Sequence, residues 1–188
     1  MGVTSIPGRT RISADRYQKM VATGVLTKYD RVELIDGDMI NMAPIGTQHS
    51  AATARLTRLF VLSAGDAAIV SPGGSIKLGE YSVPQPDLML LKPRDDYYSG
   101  QIPTPSDVLL LVEISDSSLA FDQGAKRALY ARHGVFEYWV VDVMGKRMYV
   151  YSEPAADAYS RALAFADDDV VSPQRLPAFQ MTVGTLFA

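Results

Sequence analysis

Hydrophobic residues along this chain fall into short runs with different spacings, and the spacings predict the elements. SADRYQKMVATG reads as a short helix, with Ser13 as its cap and Gly24 as its stop. VELIDGDMINM alternates around Asp36-Gly37, the pair that suits a tight hairpin turn. HSAATARLTRLFVLSAG has the period of an amphipathic helix from about residue 49 to 64, ended by Gly65. AAIVSPGGSIKLGEYSVP is a strand region broken by glycines, PDLMLLKP a strand, and RDDYYSGQIPTPSD a polar loop.

The run VLLLVEIS, residues 108 to 115, is apolar on both faces except at Glu113, as in a central strand covered on both sides. SDSSLAFDQGAKRALYARHG predicts a helix over roughly 119 to 133 with Gly134 past its end, and VFEYWVVDV predicts the next strand. A strand, helix, strand succession over 108 to 142 implies parallel strands joined by a right-handed crossover. MGKRMYVY suggests a hairpin through Met144-Gly145. The tail EPAADAYSRALAFADDDVVSPQRLPAF, acidic and spaced by prolines, reads as surface structure before a last apolar segment, VGTLF.

Length and composition then narrow the classes. With 188 residues, 47% hydrophobic and 21% charged, the chain suits a single domain over 1–188. It has no cysteine, so disulfides, thiolate metal sites and a cysteine nucleophile are excluded. Without a signal-peptide core or a run near the roughly 20 apolar residues that span a bilayer, a soluble cytoplasmic protein with no membrane partner is expected. Net charge is −3, unevenly spread: residues 1–94 hold 11 Lys and Arg against 8 Asp and Glu, residues 95–188 hold 7 against 13. A nucleic-acid contact would therefore draw on the N-terminal half, Arg55 and Arg58 included, although such charges are commonly a solvated face.

Two acids stand out chemically. Asp87 heads an apolar strand in PQPDLMLL, and Glu113 interrupts another. Alternation puts Leu109, Leu111 and Glu113 on one face, with Glu113 near the strand's C-terminal end, where α/β ligand sites gather. If the strands are neighbours, the acids converge; close unpaired carboxylates repel, so a divalent cation is expected to hold both ionised. Asp122, Lys126 and Tyr130 follow at helical spacing and share a face. Each has a plainer reading: Asp87 as a turn cap, Glu113 in an ion pair with an arginine, and the trio as a surface Asp-Lys pair beside a half-buried tyrosine. His49 is either a substrate contact or simply an early helix residue. Ser117 and Ser118 read as caps, and Tyr138 and Trp139 as core.

The succession ELIDG, PQPDL and LLVEISDSSLAFDQGAKRALYARHGVFEYWVVD resembles the Uma2 family of predicted endonucleases within the PD-(D/E)XK superfamily. The likeness spans roughly residues 13–151 and is most specific from Val112 to Asp142. It implies an α/β restriction endonuclease-like core, αβββαβ, with a mixed central sheet flanked by helices and preceded by a helix and β-hairpin. By the same resemblance, Asp87 and Glu113 hold Mg²⁺ or Mn²⁺. The superfamily's lysine two residues after the second acid is here Ser115, so Lys126 takes that role by position and charge. Glu33, in the ELIDG hairpin, matches an extra acid. The implied activity is hydrolysis of DNA phosphodiester bonds, with a homodimer expected where both strands are cut. The alternatives are an inactive binding or assembly module, or a metal-dependent hydrolase of small phosphate esters.

Overall fold

The computed structural model describes residues 8, 10–27 and 29–188. They form two compact units, one built from the described residues up to 42 together with 77–84, the other from 43–76 and 85–188.

In the first unit, helix α1 (Ala14–Ala22) is capped as its sequence predicts, the Ser13 hydroxyl accepting the Arg16 N–H at 3.2 Å. Strands β1 (Val32–Ile35) and β2 (Asp38–Asn41) make the expected hairpin. Its turn needs positive φ at both central positions, and Asp36 (+49°) and Gly37 (+87°) supply it. Residues 77–84 close back on the hairpin through paired hydrogen bonds between Leu34 and Val83.

The second unit is organised by a six-stranded sheet in the order β3 (Ile69–Pro72), β4 (Leu88–Leu91), β5 (Val108–Ser115), β6 (Glu137–Asp142), β7 (Arg147–Ala155), β8 (Ala158–Phe165). Only β5 and β6 run parallel, as the strand, helix, strand pattern predicts. Helix α2 (Thr47–Ala64) begins two residues earlier than its periodicity suggests and buries Ala52, Leu56, Phe60 and Ala64, one residue per turn. This stripe meets Leu110, Val112 and Ile114 of β5 in the main core. Phe60 there lies between Trp139 and Phe179, with ring centroids at 6.3 and 4.5 Å. The element order α2, β3, β4, β5, crossover helix, β6 is the αβββαβ core.

The tail departs from its reading as surface structure. Residues 158–165 complete the sheet as its last strand, and Val171, Phe179, Met181, Val183 and Leu186 are buried in the core. Their spacing matches neither a helix nor a strand because a two-stranded ribbon, β9 (Val170–Val171) with β10 (Met181–Thr182), and a short 3-10 turn deliver them singly. A buried acid ties this tail to the sheet. Glu137 accepts the Trp139 indole N–H and the Gln174 backbone N–H, each at 2.7 Å.

Burial pushes the Glu137 carboxyl above its ordinary value, against the lowering effect of those hydrogen bonds. A raised folded-state value contributes stability that is complete below the unfolded value and is lost as pH rises through the folded one. Urea melts at several pH values should therefore show the stability of wild type relative to Glu137→Gln growing as pH falls from neutral. A pH-independent difference would contradict this.

Candidate active site

The site is built where β4 and β5 meet. Their antiparallel register pairs Leu88 with Val112. The ladder continues at least one step on the β3 side, where Gly73 N–H donates to the Asp87 carbonyl at 2.9 Å. Carried one step further, the β4–β5 register sets Asp87 beside Glu113, with Cβ atoms roughly 4.5–5.5 Å apart in such pairs. Asp87 thus directly precedes β4, and Glu113 lies in β5, the strand hydrogen-bonded to it.

Asp87 is more than a turn cap. One carboxylate oxygen accepts the Ile114 backbone N–H at 2.7 Å, and the other lies 3.0 Å from His49 Nε2. The imidazole is held above its usual value chiefly by this hydrogen bond; burial opposes the shift, and the fields of Asp87, Asp116 and Asp122 add to it. His49, which the sequence left open as either a substrate contact or an early helix residue, is thus bonded to Asp87.

Glu113 is 3% exposed, and its Oε1 accepts from Lys126 Nζ at 3.0 Å and from the Tyr130 hydroxyl at 2.7 Å. The ion-pair reading of Glu113 is met, with a lysine in place of an arginine. The two carboxylates are not bare. Each acid has donors of its own, a cation in the case of Glu113 and an amide with an imidazole in the case of Asp87.

The crossover helix explains how Lys126 arrives there. It is not one regular helix: α3 (Leu119–Phe121) and α4 (Arg127–Arg132) are separated by a π-helical turn, Asp122–Lys126. Arg127 N–H reaches back five residues to the Asp122 carbonyl, a spacing that recurs at functional sites. The surface Asp-Lys pair does not exist. Asp122 and Lys126 are 3% and 6% exposed, and Asp122 accepts instead from the hydroxyls of Ser115 (2.7 Å) and Ser118 (2.5 Å). Ser118 is thus a hydroxyl donor to Asp122, with no side-chain capping bond. The Tyr138 hydroxyl donates to the Asp122 carbonyl at 3.1 Å; burial, then the charges of Glu113 and Asp122, keep it protonated far above the usual phenol range.

Ser115 occupies the place of the superfamily lysine, and the Ser115–Asp122 contact is the feature that sequence reading missed. Its only signal was the repeated serine and acid spacing at 115, 118 and 122. Glu33 lies on β1 in the other unit, 3% exposed, where its charge and, more strongly, burial raise the Tyr17 hydroxyl.

Two adjacent carboxylates make a hard-oxygen donor set. Among the described residues no cluster of three or more His, Cys, Asp or Glu is arranged to hold a metal. Two carboxylates fit Mg²⁺, which takes one or two of them and keeps its waters.

Three comparisons bear on this constellation. The Uma2 family profile, described as "Putative restriction endonuclease", matches residues 15–184. No curated protein matches the chain. A solved structure, described as a "putative nuclease belonging to DUF820 from Anabaena variabilis", is similar with a TM-score of 0.74 and 18% identity, covering 94% of this chain and 97% of that one. The shared architecture is a nuclease-like fold.

Proposed function

The chain belongs to the Uma2 family, and from that premise we propose that it is a divalent-cation-dependent endonuclease that hydrolyses DNA phosphodiester bonds. The observation behind this reading is the buried Glu113–Lys126 pair at the end of β5, adjoining Asp87. We assign Asp87 and Glu113 as ligands of Mg²⁺ or Mn²⁺, which when bound would lower the pKa of a water and polarise the phosphate. Glu33 rests as an extra ligand on the hairpin's match to the family alone.

The remaining steps fall to the chain's own groups. Lys126 holds a positive charge in a site shielded from water, where it would offset the charge that develops on phosphate oxygens. Tyr130, bonded to the same Glu113 oxygen, fixes the carboxylate so that the lysine and the acid keep one geometry. His49 and the Ile114 amide orient Asp87 in the same way. Two such sites, one for each strand, would let a duplex be cut in a single encounter, so we propose a homodimer on DNA.

Supercoiled plasmid incubated with the protein and Mg²⁺ or Mn²⁺ should be nicked or linearised, and EDTA should stop the reaction. Binding without cleavage would favour the assembly-module reading. Hydrolysis of a generic phosphodiester dye with plasmid left intact would favour a small-ester hydrolase.

A further inference from the structure

A pocket of about 420 Å³ lies against the elements that hold the carboxylates, yet none of its lining residues takes part in their network. Gln48, next to His49 in the first turn of α2, forms one wall, with Arg55 two turns along. Val143 and Lys146 in the loop after β6 form another, and Phe187 with Leu186 closes it. The Val143 N–H donates to the Ser115 carbonyl at 3.0 Å, which fixes this wall to the end of the Glu113 strand. Strand C-terminal ends are where α/β sheets place their ligands.

The lining is mixed in an informative way. Phe187 gives a half-buried aromatic face with the nearly buried Val143 and Leu186 behind it, Gln48 a carboxamide able to donate and accept, and Arg55 and Lys146 two positive charges. Arg55 is not free to swing, because its Nη1 donates to the Leu186 carbonyl at 3.0 Å; Lys146 stands exposed in the loop. A paired duplex offers only its phosphates and groove edges, so an apolar, aromatic-containing recess has nothing to receive from it. An unpaired nucleotide presents a ring face, hydrogen-bonding edges and a phosphate together. The volume also falls within the range of roughly 300–1,000 Å³ common for ligand pockets.

We infer that this pocket receives one unstacked nucleotide of the nucleic-acid strand, its base against Phe187, its edge at Gln48 and its phosphate at Arg55 and Lys146. The inference rests on the nuclease reading for the kind of ligand, and it makes the preferred substrate one with an unpaired or readily extruded base.

The probe is a short single-stranded oligonucleotide carrying one 2-aminopurine, titrated in EDTA so that neither cation nor cleavage enters, with a fully paired duplex of the same sequence beside it. Wild type should bind the single strand more tightly and change the probe's emission. Phe187→Ala should weaken binding about tenfold, within the range for loss of a stacking platform. Lys146→Ala, on an exposed side chain whose loss cannot unfold the protein, should weaken it and lower the salt dependence by about 0.7 in the log–log slope. Arg147→Ala, outside the pocket, should match wild type. Failure of wild type to bind the single strand would overturn the inference. So would equal binding by the Phe187 and Lys146 variants; if such a wild type still cuts plasmid, the nuclease reading survives alone. A wild type that never cuts plasmid yet loses binding on Lys146→Ala and Phe187→Ala would sink the nuclease reading and keep the pocket.

Discussion

Replacing Lys126 with Met is expected to destabilise the protein by about 3–5 kcal/mol, the scale on which removing one member of a buried ion pair strands the other. Glu113 is nearly buried at 3% exposure, and Lys126 Nζ pairs with its Oε1. Glu113→Gln should cost a similar amount in EDTA, because it leaves the ammonium buried beside a neutral amide. The double variant, Glu113→Gln with Lys126→Met, should be far closer to wild type than the two losses added together, since it removes both charges at once. Urea unfolding of the four proteins measures this. A Lys126→Met protein as stable as wild type would show that the pair contributes nothing to the fold, and additive losses would show that the two charges act separately.

Asp87 should behave in the opposite manner. Its side chain is about one-quarter exposed, and its partners are a histidine, which can release its proton when the acid is neutralised, and a main-chain amide, which an asparagine oxygen can still accept from. Asp87→Asn should therefore fold nearly as stably as wild type in EDTA. With millimolar Mg²⁺ or Mn²⁺ the two should separate: an ion that binds the folded state alone adds RT ln(1 + [L]/Kd), about 2.7 kcal/mol at a hundredfold excess over Kd, and only wild type should show the rise in melting temperature. Plasmid cleavage by the variant should fall by about a hundredfold to a thousandfold, the scale of losing one preorganised electrostatic group. A cation-dependent rise that survives in Asp87→Asn would remove this residue from the ligand set. Unchanged cleavage would remove it from the chemistry.

The contrast between the two acids shows which parts of the site the sequence could yield. Glu113 was visible because a single charge in VLLLVEIS breaks a pattern that otherwise demands burial, and Asp87 because it opens the next apolar strand. The hairpin at Asp36-Gly37 and the parallel pairing of β5 with β6 were legible for related reasons: one depends on a backbone conformation few residues adopt, the other on the length of chain between two strands. Partners at longer range were not legible. Nothing local to His49 says that it meets a residue in another strand, and the α period assumed for 119–133 hid a turn bonded five residues back. The tail misled because its core residues reach the interior one at a time from a ribbon and a short turn, leaving no repeat to detect.

The π turn has a mechanical consequence. Its two ends are keyed to different positions of the same strand: Asp122, steadied by the Ser118 hydroxyl, engages Ser115, while Lys126 and Tyr130 engage Glu113. A helix resting on a sheet through apolar contacts alone can creep along it, because one methyl group serves much like the next. Here a slip by a single turn would disengage two separate latches at once. The crossover is thereby indexed to β5 like a toothed rack, and the spacing of ammonium and carboxylate is set by where the teeth fall.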